Sequence, residues 1–323
     1  MTTYLVTGGA GFIGSNIVDA LLRRGDSVRV LDNYSTGRPE NLRDALDRIE
    51  MIEGDVRDMD TVERAVRGSD FVLHQAALAS VPRSIVDPVS NNQVNVQGTL
   101  NVLVAAQRHR VKRVVYASSS SVYGDSVELP KVETMTPHPK SPYAVAKLAA
   151  EHYCRVFADL HGITTVSLRY FNVFGPRQDP TSQYSAVIPL FVRALLTGNP
   201  PTIYGDGEQS RDLTFIDNVV RANLLACSAN VSGGRVYNIA CGGRYTINQV
   251  FEALEKRIRS GLKPRYEAPR AGDVKHSMAD IERIRRDLGY EPTVGFEEGI
   301  DATVRWYQDA GLKTLGYSKG SPR

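Results

Sequence analysis

The glycine-rich segment TGGAGFIG near the N-terminus most constrains the fold of this chain. It places Gly8, Gly11 and Gly14 between an apolar run at residues 3–7 and a stretch of helical periodicity at residues 15–24. Glycines in such a turn let backbone amides approach a phosphate, and the N-terminus of the following helix then faces the anion. The segment therefore predicts a strand, a phosphate-binding turn and a helix.

Further runs rich in Val, Ile, Leu, Phe and Tyr follow at residues 28–32, 49–53, 71–75 and 113–118. Stretches of helical periodicity at residues 60–67 and 96–108 separate them. Strands that alternate with helices form parallel sheets covered on both faces. The fold class expected is therefore α/β, with a doubly wound parallel sheet of the Rossmann type.

An acidic residue ends the second apolar run, in VRVLDN. Asp32 lies about 20 residues after the glycines, where a carboxylate can accept hydrogen bonds from both hydroxyls of an adenosine ribose. The same carboxylate would repel a 2′-phosphate, so the pattern favours NAD over NADP as the cofactor. Asp55 and Val56, after the third run, are expected near the adenine.

A second lobe is expected after Tyr170, where the segments GPRQDPTSQ, TGNPP and YGDGEQSRD are rich in Gly, Pro and polar residues. Helices are predicted near residues 186–197, 217–230 and 246–259. We expect an NAD-binding domain at residues 1–173 and a smaller, irregular α/β substrate lobe at residues 174–323. The strand-like runs LTFI and RVYNIA are expected to return residues 211–241 to the large sheet, so the two parts interleave.

A candidate catalytic group lies in the segment SPYAVAKLAAEHY. Ser141 and Pro142 are typical of a helix start, and Tyr143 and Lys147 then share one helix face. An ammonium beside a phenol favours the phenolate, so we expect the Tyr143 pKa to fall from about 10 toward neutrality. Ser119, at the end of the run VVYASSSSVYG, is expected at the carboxyl edge of the sheet, where it can bind the same substrate oxygen.

The composition excludes several other classes of protein. The chain of 323 residues has 39 Lys and Arg against 36 Asp and Glu, a balance too even to predict nucleic-acid binding. Cys154, Cys227 and Cys241 lack the spacing of a disulfide framework or a metal site. There is no signal-peptide pattern and no apolar run of the ~18 residues that span a membrane. A cytoplasmic enzyme without membrane insertion is expected.

The segments TGGAGFIG, LDN, HQAALASVPRS, VNVQGT, SSSSVYG, SPYAVAK and LRYFNVFGPRQ occur in one order along the chain. In this order and spacing the sequence resembles the extended short-chain dehydrogenase/reductase superfamily, and within it the NAD-dependent nucleotide-sugar epimerases and dehydratases. The resemblance implies that Ser119, Tyr143 and Lys147 are catalytic, with Asn95 and Tyr170 flanking them and the nicotinamide. The cofactor-binding set it implies is Gly8, Gly11, Phe12, Ile13, Gly14, Asp32, Asn33, Ser35, Thr36, Gly37, Asp55, Val56, Gln75, Ala76, Ala77, Asn95, Tyr143, Lys147 and Tyr170.

For the substrate, the resemblance implies a UDP-sugar. Asn172, Arg211, Arg270 and Asp273 match positions that hold the diphosphate, sugar or uridine ribose, and Tyr204 is expected to stack on the uracil. Ser277 matches a position beside the sugar C2 substituent, where a small residue leaves room for an N-acetyl group. The substrate set it implies is Ser80, Ser119, Ser120, Tyr143, Asn172, Val187, Tyr204, Arg211, Arg270, Asp273 and Ser277.

These residues favour a UDP-hexose 4-epimerase. The family's dehydratases carry an Asp-Glu pair just before VYG, whereas this chain has Ser120 and Ser121, so the general acid for dehydration is lacking. A UDP-glucuronate 4-epimerase, with a cation near Arg177 for the substrate carboxylate, is the alternative enzyme. A non-catalytic NAD-binding sensor is a further alternative. The family often forms homodimers through two helices, and apolar positions at residues 96–107 and 145–157 permit this.

Overall fold

A computed structural model describes residues 1–180, 186–269 and 275–311 of the chain. In chain order the strands are β1 (Thr3–Thr7), β2 (Ser27–Asp32), β3 (Glu50–Glu53), β4 (Phe71–His74), β5 (Arg113–Ser119), β6 (Thr164–Tyr170), β7 (Val173–Phe174), β8 (Thr202–Tyr204), β9 (Ser210–Arg211), β10 (Thr214–Phe215), β11 (Gly234–Ile239), β12 (Tyr245–Thr246) and β13 (Arg265–Glu267).

The central sheet has seven parallel strands in the described part of the chain, in the order β11-β6-β5-β4-β1-β2-β3. The chain starts in the middle at β1, runs to one edge and then crosses back to β4. At this reversal the connections leave β1 and β4 in opposite directions, which opens a crevice at the carboxyl ends of the strands. The fold class expected from the sequence is confirmed.

Helices cover both faces of the sheet and build the smaller lobe. They are α1 (Phe12–Arg23), α2 (Met59–Val66), α3 (Val81–Val86), α4 (Pro88–Asn92), α5 (Gly98–Arg108), α6 (Pro142–His161), α7 (Val187–Leu196), α8 (Ile216–Ser228), α9 (Ile247–Ile258), α10 (Glu282–Leu288) and α11 (Phe296–Trp306). Strand β5 is buried along its length except at Ser119, as expected for a strand covered on both faces. Among the described residues, no helix is long and apolar enough to cross a membrane.

Short strands outside the large sheet form three pairs: β7 with β10, β9 with β12, and β8 with β13. Of the segment 211–241, the run RVYNIA supplies β11, the edge strand beside β6. The run LTFI supplies only β10, which pairs with β7 and not with the large sheet. The chain between them forms α8, so the runs lie at opposite ends of a helix.

Candidate functional site

The phosphate-binding turn lies between β1 and α1, at the crevice. Gly8 adopts a φ of 68°, and a Cβ there would lie 2.6 Å from the backbone nitrogen of Ala76. A Cβ on Gly14 would lie 2.1 Å from the carbonyl oxygen of Gly8, so both positions exclude side chains. Helix α1 begins at Phe12 without a side-chain cap, which leaves its first backbone N–H groups for a ligand.

Asp32, the last residue of β2, is nearly buried beside this turn, with 7% of its surface exposed. Its Oδ2 accepts a hydrogen bond from the backbone N–H of Ala10 at 2.9 Å, and its Oδ1 accepts one from that of Tyr34 at 2.8 Å. Burial raises the pKa of Asp32, while these N–H donors act in the opposite direction. The backbone thus fixes both carboxylate oxygens at the end of the crevice.

A groove of about 220 Å³ follows the carboxyl ends of β1, β2 and β4. Most of the predicted cofactor residues line it: Gly8, Gly11, Phe12, Ile13, Gly14, Asp32, Asn33, Ser35, Thr36, Asp55, Val56, Gln75, Ala76 and Ala77. Sequence reasoning missed Leu31, Gly54, Leu78, Ala79 and Val94, which also line it. All five adjoin a predicted residue or follow one in the segment HQAALAS, so adjacency was the available signal.

Five predicted cofactor residues are not part of the groove wall: Gly37, Asn95, Tyr143, Lys147 and Tyr170. Gly37 packs beneath Asp32, where a Cβ would lie 3.0 Å from Oδ1. Asn95, in a π-helical turn before α5, is buried and binds the backbone of Leu78 with both side-chain ends, at 2.9 and 3.1 Å. Asn95 therefore holds the chain that forms the wall.

The groove fits a dinucleotide with an unphosphorylated adenosine ribose. The uncapped helix end suits a pyrophosphate, the crowded glycines let backbone approach it, and the buried carboxylate of Asp32 suits ribose hydroxyls. Asn33 adds an amide that donates to Asp55 Oδ2 at 2.8 Å, and Arg57 pairs with the same carboxylate. These are the residues that could hold NAD.

Ser119, Tyr143 and Lys147 meet at the carboxyl end of β5. Ser141 caps α6, accepting a hydrogen bond from the backbone N–H of Ala144 at 3.2 Å, and Pro142 is the first helical residue, as predicted. The Ser119 side chain lies near that of Tyr143, and its oxygen accepts a hydrogen bond from the backbone N–H of Ser121 at 3.2 Å. The Lys147 Nζ lies 5.8 Å from the centre of the Tyr143 ring.

The electrostatics of this group differ from the sequence-based expectation. Burial raises the pKa of Tyr143, and the nearby Ser119 hydroxyl opposes that shift only in part. Burial also lowers the pKa of Lys147 to about 7. The expected fall in the Tyr143 pKa is absent because both groups lose solvent, which disfavours phenolate and ammonium alike.

A buried ion pair that sequence reasoning missed lies below the three residues. Arg169 of β6 binds Glu151 of α6 through two hydrogen bonds, at 2.9 and 2.7 Å, and each side chain is 4% exposed. The Ser118 hydroxyl donates to the same carboxylate. Glu151 follows Lys147 by one turn of α6, a spacing typical of exposed pairs, so only the three-dimensional structure identifies its partner.

The predicted substrate residues divide between two places. Asn172, Val187, Tyr204 and Arg211 line a cavity of about 620 Å³ in the smaller lobe. Asn172 Nδ2 donates to the carbonyl oxygen of Asp212 at 2.9 Å and to Ser277 Oγ at 3.1 Å, so Ser277 lies directly beside this cavity's wall. Arg270 and Asp273 lie outside the described residues.

Ser80, Ser119, Ser120 and Tyr143 lie on the sheet side and are not part of the cavity wall. Ser80 caps α3, accepting a hydrogen bond from the backbone N–H of Arg83 at 3.2 Å. Ser120 begins a short 3₁₀ turn, Ser120–Tyr123, directly after β5. The substrate set is therefore split between the sheet edge and the lobe.

Comparison with known proteins adds independent information. The sequence profile of the NAD dependent epimerase/dehydratase family matches residues 4–240. The UDP-glucose 4-epimerase of Thermotoga maritima, solved with UDP-glucose, is 39% identical with a TM-score of 0.91, covering 97% of this chain and 100% of that one. The UDP-N-acetylglucosamine 4-epimerase of Methanobrevibacter ruminantium, solved with UDP-N-acetylmuramic acid, is 41% identical with a TM-score of 0.91, covering 95% and 98%.

The UDP-glucose 4-epimerase of Thermus thermophilus, solved with NAD, is 40% identical with a TM-score of 0.86, covering 96% of this chain and 100% of that one. Relatives with other activities match at similar identity. UDP-glucuronate 4-epimerase 4 of Arabidopsis thaliana is 33% identical, covering 94% of this chain and 75% of its own length. The dTDP-glucose 4,6-dehydratase of Streptomyces niveus is 35% identical, covering 98% of both.

Proposed function

Because the chain belongs to the NAD dependent epimerase/dehydratase family, we propose that it is a UDP-hexose 4-epimerase. It is an enzyme with NAD as its cofactor, as in the relatives it matches. The proposed reaction inverts C4 of UDP-glucose and UDP-galactose, and of their N-acetylated counterparts, through a transient 4-keto sugar. The observation that carries the proposal is the clustering of Ser119, Tyr143 and Lys147 at the carboxyl end of β5, on the side of the sheet where the dinucleotide groove lies.

In this proposal the groove residues bind and orient the cofactor. The N-terminus of α1 receives the pyrophosphate, and Asp32 receives the adenosine ribose. Held by these residues, NAD would supply what the side chains lack, a reversible acceptor for the C4 hydride.

Tyr143 handles the proton of the sugar's 4-hydroxyl. As a phenolate it accepts that proton when C4 is oxidised, and as a phenol it gives the proton back when C4 is reduced. The Ser119 hydroxyl lies near Tyr143 and positions the phenol toward the substrate. Lys147, whose Nζ lies 5.8 Å from the ring centre, supplies a cation that stabilises the phenolate in a site with little water.

The smaller lobe holds the nucleotide end of the substrate in this proposal. Arg211 suits the diphosphate because a guanidinium binds two phosphate oxygens at once, and Tyr204 offers an aromatic face to the uracil. Anchoring through the nucleotide leaves the hexose free to turn and present its other face. Asn172 and Ser277, joined by their hydrogen bond, lie where the sugar enters.

Two observations favour this reaction over its alternatives within the family. Ser120 and Ser121 provide no carboxylic acid to expel a hydroxyl, which disfavours dehydration. Arg177, the cation expected to serve a uronate carboxylate, is paired with Asp19 at 2.6 Å. Asp19 already balances the charge of Arg177, which weakens its attraction for a substrate carboxylate, and UDP-glucuronate stays the second candidate substrate.

We also propose that the protein is a homodimer. Helix α6 carries exposed apolar side chains at Val145, Val156 and Leu160. The exposed fractions of these three residues are 53%, 42% and 73%, respectively. A second copy of α6 would cover this stripe, which water otherwise contacts. Light scattering coupled to gel filtration should give twice the chain mass, and Leu160→Glu should shift it toward one chain. A monomeric wild-type protein would contradict the proposal.

The test of the proposed function is to incubate the purified protein separately with UDP-glucose, UDP-N-acetylglucosamine and UDP-glucuronate, without added reductant. Chromatography should resolve a C4 epimer from the first two substrates. An epimer from UDP-glucuronate alone would favour the second candidate. Protein that contains NAD but converts none of the three would contradict epimerisation of these sugars, and protein that acts only as an NAD-binding sensor would give this result.

A further inference from the structure

Gln75, Tyr170 and Asn223 form a closed ring of hydrogen bonds beside the cofactor groove. Asn223 of α8 is fully buried, and Tyr170 at the end of β6 is nearly so. Gln75 follows β4 and lines the groove. Sequence reasoning singled out Gln75 and Tyr170, but no motif or resemblance pointed to Asn223.

One contact with a backbone carbonyl oxygen sets the orientation of both amides in this ring. Asn223 Nδ2 lies 2.8 Å from the carbonyl oxygen of Val219, which can only accept, so the Asn223 amide has a single orientation. Its second N–H donates to the Tyr170 hydroxyl at 2.8 Å. Asn223 Oδ1 must then accept from Gln75 Nε2 at 3.1 Å.

The last link closes the ring. The Tyr170 hydroxyl accepts from Asn223 Nδ2, and two acceptors for its own proton lie at equal distance from its oxygen: Gln75 Oε1 at 3.1 Å and Asn223 Oδ1 at 3.1 Å. A flipped Gln75 amide would set its oxygen against Asn223 Oδ1, two acceptors in contact. The helix carbonyl of Val219 thus fixes the amide orientation of Gln75 through the Asn223 side chain.

This ring uses one N–H and one lone pair of the Gln75 side chain. In the described part of the chain, the other N–H and the other lone pair have no protein partner. They are the polar groups that Gln75 can offer to a ligand in the groove. We infer that Asn223 is a positioning residue, which holds the Gln75 amide in the orientation that binds NAD.

The inference rests on the proposed function, because it requires NAD in the groove lined by Gln75. Free rotation of Gln75 would cost binding energy, since an unfixed amide presents the wrong end to the cofactor half of the time. The Tyr170 hydroxyl, in turn, is committed to the ring. It supports Gln75 and does not act as an acid or base toward the sugar.

The test measures how fast NAD leaves the purified holoenzyme, with an auxiliary dehydrogenase that reduces each released NAD. Asn223→Leu, which keeps the side-chain volume, should accelerate release about tenfold. Tyr170→Phe removes only the hydroxyl and should accelerate release in the same direction. The matched control is Asn218→Leu, because Asn218 is equally buried on α8 but binds the chain at Thr293 and Val294. It should weaken folding without faster release.

A double-mutant cycle tests whether Asn223 acts by positioning Gln75 or by a general effect on the stability of the fold. If Asn223 acts through Gln75, then Asn223→Leu should have no further effect on NAD release in a Gln75→Ala background. Fully additive effects of the two substitutions on the release rate would overturn the inference. So would an Asn223→Leu variant that releases NAD at the wild-type rate while Gln75→Ala releases it faster. Either result would leave the proposed epimerase intact, since wild-type turnover of UDP-glucose is measured separately.

Discussion

The Lys147 ammonium donates a hydrogen bond to the carbonyl oxygen of Ala117 at 2.8 Å. Ala117 lies in β5, two residues before Ser119, so this bond fixes α6 against the strand that carries the serine. Because Tyr143 is one turn earlier on α6, the distance between phenol and serine is set by the same contact. The three residues therefore form one rigid unit.

Replacing the phenol hydroxyl of this unit should stop turnover. In Tyr143→Phe we expect a loss of about 10²- to 10⁴-fold in kcat, because the 4-hydroxyl proton has no acceptor. Product chromatography measures turnover, and absorbance after denaturation measures retained NAD, which should be unchanged. Tyr116→Phe is the matched control, because the Lys147 Nζ lies 5.0 Å from that ring as well. Equal loss in both variants would contradict the role of Tyr143.

Neutralising the carboxylate at the end of β2 should relax cofactor choice. Asp32→Asn removes the charge that would repel a 2′-phosphate, so NADP binding relative to NAD should rise by about tenfold. Fluorescence titration with each dinucleotide measures the ratio. Asp55→Asn, in the same groove, should weaken both dinucleotides without changing their ratio. An unchanged ratio in Asp32→Asn would place the 2′-position elsewhere.

A buried histidine should make folding sensitive to acid. His74 lies between Thr7 Oγ1 at 2.6 Å and Thr99 Oγ1 at 3.0 Å, and burial lowers its pKa to about 3. Below a pH of about 6.5 the unfolded chain binds a proton that the folded chain does not, so stability falls as the pH falls from about 6.5 toward 3.

This contribution should reach ~2 kcal/mol of the free energy of unfolding between pH 7.5 and pH 5. Urea unfolding at the two pH values measures it. The His74→Gln variant has no histidine to titrate at this position. Between pH 7.5 and pH 5 its free energy of unfolding should therefore fall by ~2 kcal/mol less than that of the wild-type protein. Parallel pH dependence in the two proteins would show that His74 takes up a proton in the folded state.

The size of residue 277 should decide whether N-acetylated sugars react. Ser277→Tyr should lower kcat/KM for UDP-N-acetylglucosamine by about 100-fold and leave UDP-glucose less affected. Ser277→Ala is the control: it stays small but loses the hydrogen bond with Asn172, so it should affect both substrates alike. If Ser277→Tyr lowers both values equally, the position does not adjoin the C2 substituent.

Removing one partner of the buried ion pair between Glu151 and Arg169 should destabilise the protein more than removing both. Arg169→Met leaves the Glu151 carboxylate buried without its cation, which should lower the free energy of unfolding by about 3–5 kcal/mol. The double replacement Glu151→Met with Arg169→Met should recover most of this loss, because no unpaired charge remains. Urea unfolding of the three proteins checks it, and a double variant no more stable than Arg169→Met would contradict the reasoning.

Local patterns were sufficient to predict the sheet and the turn. Alternating apolar and helical stretches predicted five central strands, and the Ser141 and Pro142 start of α6 was correct. Strand β6 was missed because TTVSLRY carries polar residues, of which Arg169 is buried only through its pairing with Glu151. A single-chain pattern cannot reveal a partner that is distant in sequence.

The same limit applies at the site. The glycines and Asp32 lie where the sequence placed them because a short turn determines their geometry. Asn223 was missed because its role depends on Gln75 and Tyr170, which are distant from it in sequence. The pKa of Tyr143 could not be predicted from helical spacing because burial, which depends on the whole fold, raises it.

Strand β11 is synthesised long after β6, the strand with which it pairs. In the part of the chain that the structure describes, the outer edge of β6 pairs with β11, whose residues follow after α7 and α8. On the ribosome, the backbone groups along that edge therefore stay unpaired while the intervening chain is made. The nascent protein passes through a stage in which six strands are available and a hydrophobic edge is open to other chains, and its demand for chaperones should be greatest there.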